Sequence, residues 1–186
     1  MVDAKKNDQP KNLVWMDLEM TGLDSETDVI IEMATLITDL ELNVIETGPE
    51  IIIHQSAERF AKMDSWNQTQ HTKSGLWAKV LTSTITQDEA EKITLDFIKQ
   101  HCGPRESPLC GNSIWQDRRF IAKHMKLLDE YLHYRLVDVS SVKILGKIWY
   151  PAESDKGKSK KNSHRALDDI KESIEELRYY RKILFK

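Results

Sequence analysis

Asn12-Leu13-Val14-Trp15-Met16-Asp17-Leu18-Glu19-Met20 is the stretch from which the fold can be read. An apolar run leads without a turn residue into an acid-leucine-acid triplet, and the whole predicts a strand. Side chains alternate across a strand, so Asp17 and Glu19 share one side while Leu18 takes the other. Two like charges on one face of a core strand repel each other unless something positive lies between them. Either the strand end reaches solvent, or a hard divalent cation such as Mg²⁺ or Mn²⁺, which prefers carboxylate oxygen, relieves the repulsion.

Working outward, residues 1–11 are polar and read as a loose tail before a single folded unit over 12–186. A second β-branched run covers Val29 to Thr38, and a third covers Val44 to His54, interrupted by Gly48-Pro49 as a bulge or edge strand would be. Three strands with short connections predict an antiparallel meander. The period then changes. Ser56 is placed to cap a helix over Ala57 to Met63, and a polar stretch follows from Asp64 to Ser74. Thr86-Gln87-Asp88-Glu89 has capping-box spacing ahead of a stripe of Ala90, Ile93, Phe97 and Ile98.

Pro108 to Gly111 reads as a short strand, Trp115 to Tyr131 as a helix, Leu136 to Val139 as a last strand and Ser140 to Trp149 as a helix. A loop over Pro151 to Asn162, with Lys156, Lys158, Lys160 and Lys161, leads to a helix from Arg165 to Ile183 whose apolar face is Leu167, Ile170, Ile174 and Leu177. The order predicts one α/β domain around a mixed five-stranded sheet, antiparallel meander plus parallel strands, flanked by helices. That plan is shared by ribonuclease-H-like enzymes.

The 186 residues are 40% hydrophobic and 31% charged, the balance of an ordinary globular domain. No apolar run approaches the length of a membrane span and the first residues have no apolar leader segment, so a cytoplasmic protein is expected. Cys102 and Cys110 lack the spacing of a zinc site or a disulfide framework. A net charge of −3 argues against coating long nucleic acid by bulk attraction, but leaves room for a small anionic substrate held by a few placed groups and metal.

Two more acids and a histidine complete a pattern. Asp117 follows the Gly111-Asn112-Ser113 turn at the start of a helix, and Asp169 lies in the first turns of the last helix, five residues after His164. Alone, Asp117 reads as an ordinary helix-start acid and His164 as a surface residue. Together they give Asp-x-Glu on the first strand, an Asp after a central strand, then His-x-x-x-x-Asp. This constellation resembles the DEDDh 3′→5′ exonucleases. The resemblance implies that Asp17, Glu19, Asp117 and Asp169 hold two divalent ions, Mg²⁺ or Mn²⁺, and that His164 is the general base. Two metals activate a water and stabilise a leaving oxygen at phosphorus, and an imidazole can take the proton at neutral pH.

Longer stretches, among them Asp17 to Asp24, Cys110 to Ile114, Gln116 to Phe120, His133 to Arg135 and Ala166 to Ile170, resemble the oligoribonuclease branch of that family. The resemblance implies a homodimer acting on short single-stranded RNA, dinucleotides above all. It implies Leu23 as a wedge between bases, Trp66 and His71 shaping a base pocket, and Ser113, Arg135 and Ser140 on a 5′ phosphate. Tyr134 is expected to reach in from the partner subunit as a further active-site residue. Trp115 departs from the pattern, which expects a small residue there.

Overall fold

The computed structural model describes residues 10–154 and 165–185. Its centre is a five-stranded sheet in the order β3-β2-β1-β4-β5, made of β1 (Leu13–Met20), β2 (Ile30–Thr38), β3 (Val44–Ile52), β4 (Leu109–Gly111) and β5 (Leu136–Asp138). β1 and β3 flank β2 antiparallel, while β4 joins β1 and β5 joins β4 in parallel. The mixed ribonuclease-H-like sheet expected from the element order is therefore present.

Alternation along β1 divides the core. Val14, Met16 and Leu18 pack with Ala90, Leu95 and Ile98 of α4 (Gln87–Lys99), Phe120 and Ile121 of α5 (Ile114–His124) and Leu128 of α6 (Lys126–Tyr131). Leu13 and Trp15 face the other way, onto Val139 of α7 (Val139–Trp149) and Ala166, Ile170 and Ile174 of α9 (Ala166–Leu184). Asp17 and Glu19 continue that second face, so the helix that covers Trp15 begins beside the acids.

Gly48-Pro49 does both things expected of it. β3 is an edge strand, and its register shifts between Ala34 opposite Glu50 and Leu36 opposite Thr47. A β-carbon at Gly48 would come 2.6 Å from the Phe97 ring, so the bulge needs glycine where the ring closes over it. Thr86 and Glu89 form the full capping box of α4. Its stripe shifts, however: Thr94 and Leu95 are buried with Ala90 and Ile98, whereas Ile93 is largely exposed.

Other elements depart from the sequence reading. Residues 64–74 are not merely polar chain but include α2 (Ser65–Lys73), started by the Asp64 carboxylate accepting the Asn67 N–H at 2.9 Å. α3 (Leu76–Thr82) follows, and Trp77 and Val80 pack with Ile31. Ser56 precedes α1 (Ala57–Lys62) without a side-chain cap. The helix expected over Trp115 to Tyr131 is two helices, broken at the buried Met125, whose φ of −137° and ψ of 68° cannot continue a helix. Within the loop expected from Pro151, residues Pro151–Ser154 form the short α8. Lys156, Lys158, Lys160 and Lys161 lie outside the described residues. Among the described residues no helix is long and apolar enough to cross a membrane.

Candidate active site and metal centre

β1 supplies Asp17 and Glu19, and the first turn of α9 supplies Asp169. One oxygen from each lies within 4.8 Å of the others. Burial, helped by the nearby Glu32, Asp169 and Asp117 carboxylates, pushes the Glu19 carboxyl up to about 8, against the pull of Arg165. Among the described residues the carboxylates at this corner thus disfavour one another's charge. Three convergent carboxylates of that kind are a fitting donor set for a hard divalent cation.

Asp117 sits differently. It is 6% exposed, outside that grouping of three, and its Oδ1 accepts the backbone N–H of Leu18 at 2.9 Å, between the two strand acids. Burial pushes its carboxyl up to about 7 against the pull of the Leu18 hydrogen bond. His164 lies outside the described residues.

A second convergence lies where α5 and α7 begin. Ser113, at the N-cap of α5, adopts a left-handed φ of 51°, a conformation a serine holds only when its surroundings enforce it. Its N–H donates to Asp138 Oδ1 and to Ser140 Oγ, each at 3.0 Å, and the two serine hydroxyls are 3.1 Å apart. Asp138 also caps α7 through the Ser140 N–H. Asn112 accepts from the Ser140 hydroxyl and donates to Ser173 and Glu176 on α9, tying both helix starts to it. Two hydroxyls at two helix N-termini suit an anion.

Leu23 is 72% exposed, and its carbonyl accepts Gln116 Nε2 at 2.6 Å. The turn that carries it is closed by Asp28, which takes the Thr21 hydroxyl and the Asp24 N–H. His71 on α2 is buried, with Nε2 2.9 Å from the carbonyl of Met20, so it abuts the end of the acidic strand. Trp66, five residues earlier on the same helix, is 59% exposed. Tyr134 and Arg135 are both exposed, with the guanidinium 5.2 Å over the phenol ring and His133 stacked on it. Among the described residues these ring contacts are within their own turn. Trp115 is half exposed, with Arg119 5.8 Å above its ring.

The exonuclease family model typified by RNase T matches residues 14–177. Oligoribonucleases of Aeromonas hydrophila subsp. hydrophila and of Vibrio cholerae are each 56% identical over 95% of this chain and 97% of theirs. The chain belongs to the oligoribonuclease family of exonucleases. As a member of that family it is a hydrolytic nuclease. Exonuclease I from Methylocaldum szegediense shares the fold, with a TM-score of 0.69 at 16% identity, over 94% of this chain and 41% of that larger one.

Sequence reasoning did not single out Glu32, Arg165, Asp138 or Gln116 as parts of this corner. Glu32 had a legible signal, an acid inside the apolar run Ile30 to Ile37.

Proposed function

We propose that this protein is a cytoplasmic homodimer that shortens very small RNAs, dinucleotides above all, from the 3′ end to 5′-mononucleotides. The observation that carries the reading is the convergence of Asp17, Glu19 and Asp169, from opposite ends of the chain, within 4.8 Å. Those three acids, with Asp117 bound behind them, would hold two divalent ions, Mg²⁺ or Mn²⁺. The bound ions would supply an activated water and stabilisation of the leaving oxygen. His164 accepts the water's proton, and its replacement by Ala slows hydrolysis more than about tenfold while dinucleotide affinity stays nearly intact. A smaller change in turnover would remove it as the base.

Substrate length follows from what sits beyond the acids. Leu23 stands exposed on a braced turn as a wedge between two bases, with Trp66 and His71 bounding the base pocket. Base stacking tolerates any sequence. The paired hydroxyls of Ser113 and Ser140, with Arg135, take the 5′ phosphate and close that end of the site. The partner subunit's Tyr134 completes it. An apolar stripe on α7, with Ile144 57%, Ile148 65% and Trp149 65% exposed, supports a subunit contact.

The test is cleavage of 5′-phosphorylated RNAs of two and seven nucleotides in Mn²⁺. Cleavage strongly favouring the dinucleotide is expected. Equal or faster cleavage of the longer RNA would overturn the closed pocket.

A further inference from the structure

Glu32 is fully buried on β2, directly across from Glu19 in the β1–β2 register. A carboxylate there is costly by itself and costlier beside a second one. Arg165 answers it. Its Nε and Nη2 lie 3.1 and 2.8 Å from Glu32 Oε1, and Nη2 is also 3.7 Å from Glu50 on the edge strand. The fork thus ties Arg165 to β2 and β3 across 133 residues of sequence for the Glu32 bond. At its other end, the Arg165 carbonyl accepts the N–H groups of Asp168 and Asp169, both at 3.0 Å, as α9 begins.

One residue therefore grips the sheet with its side chain and the amide of a site acid with its backbone. We propose that Arg165 is a positioning residue: through Glu32 it sets the first turn of α9 in the register that brings Asp169 against Asp17 and Glu19. The inference rests on those three acids forming the metal centre. Groups that hold metal ligands in place change metal affinity about 10- to 100-fold when removed, without touching the ion.

Breaking only one side of the pair strands a buried charge and destabilises the fold, so the decisive variant replaces both. Glu32→Met with Arg165→Met leaves net charge unchanged, and apolar replacement of a buried pair is often neutral for stability. Mn²⁺ affinity is read by calorimetry and folding by thermal unfolding in EDTA. The double variant is expected to melt near the wild type yet bind Mn²⁺ about tenfold more weakly. Arg165→Lys, which keeps the charge but loses the fork, is expected to fall between the two.

Wild-type affinity in the folded double variant would make the pair purely structural and overturn the proposal. Tighter Mn²⁺ binding would do the same. Asp169→Asn separates the two readings. If it weakens Mn²⁺ binding while the double variant does not, the metal centre stands and the positioning role falls. If the wild type binds no Mn²⁺, both fall together.

Discussion

Asp117 and Asp169 are delivered to the acidic end of β1 by helices on opposite faces of the sheet, and they are held there by different means. α5 packs through Phe120 and Ile121 on the face of Val14 and Met16, and its acid is fixed by its own hydrogen bond to the Leu18 N–H. α9 packs on the face of Trp15, and its acid is set by the residue at the helix start, Arg165, bound to Glu32. A carboxylate that bonds the strand it serves is both a structural part and a chemical one. A carboxylate placed by its neighbour owes its position to that neighbour's grip on the sheet.

The difference predicts opposite stability effects from similar losses of activity. Asp169→Asn should lower kcat/KM by about a thousandfold, the scale of removing a main electrostatic stabiliser. Yet it should raise the melting temperature in EDTA, since one of the charges acting on Glu19 is gone. Unchanged turnover would remove Asp169 from the site. For Asp117 the stability sign reverses. Asp117→Ala leaves the Leu18 N–H without its acceptor and should cost about 1–3 kcal/mol, whereas Asp117→Asn keeps an oxygen there and should cost less. Equal melting of the two variants would show that the hydrogen bond adds nothing.

pH sharpens the contrast at Glu19. Burial and the neighbouring carboxylates push its folded carboxyl up to about 8 from an ordinary value of 4.5. A raised acid stabilises the fold fully below the ordinary value and loses that contribution as pH rises through the folded one. Metal-free protein should therefore lose stability between about pH 4.5 and 8, and Glu19→Gln should remove much of that slope. Mn²⁺ held by these acids would need the ionised form, so its affinity should climb over the same window. A flat pH profile of both quantities would contradict the crowded-carboxylate account. The smallest effect belongs to the serines. Ser140→Ala should weaken binding of a 5′-phosphorylated dinucleotide about threefold to tenfold, the worth of one hydrogen bond, and should leave a dinucleotide lacking that phosphate nearly unaffected.

How much of this was legible varied with range along the chain. β1, the meander and the edge bulge at Gly48-Pro49 follow from local alternation and breaker residues, and the Thr86 box from a four-residue pattern. That Asp17 and Glu19 share a face is a property of any strand. α2 was not legible as a helix because Ser65 to Lys73 has no apolar stripe, only the Asp64 cap, and its helix form depends on that cap and on packing around His71. The break at Met125 was hidden by apolar residues that continue on both sides, while the chain there is held by tertiary contacts such as Gln87 on the His124 carbonyl. The Arg165–Glu32 tie and the Asp117–Leu18 bond join residues far apart in sequence, and side-chain periodicity carries no record of such pairings.

The role proposed for the acid cluster is metal-dependent catalysis. It is tested most directly by adding Mn²⁺ to EDTA-treated protein mixed with a 5′-phosphorylated RNA dinucleotide and following single-turnover release of mononucleotides. Release that is absent in EDTA, restored by Mn²⁺ and lost in Asp169→Asn is the predicted result. Cleavage that proceeds equally in EDTA, or that survives Asp169→Asn, would contradict it.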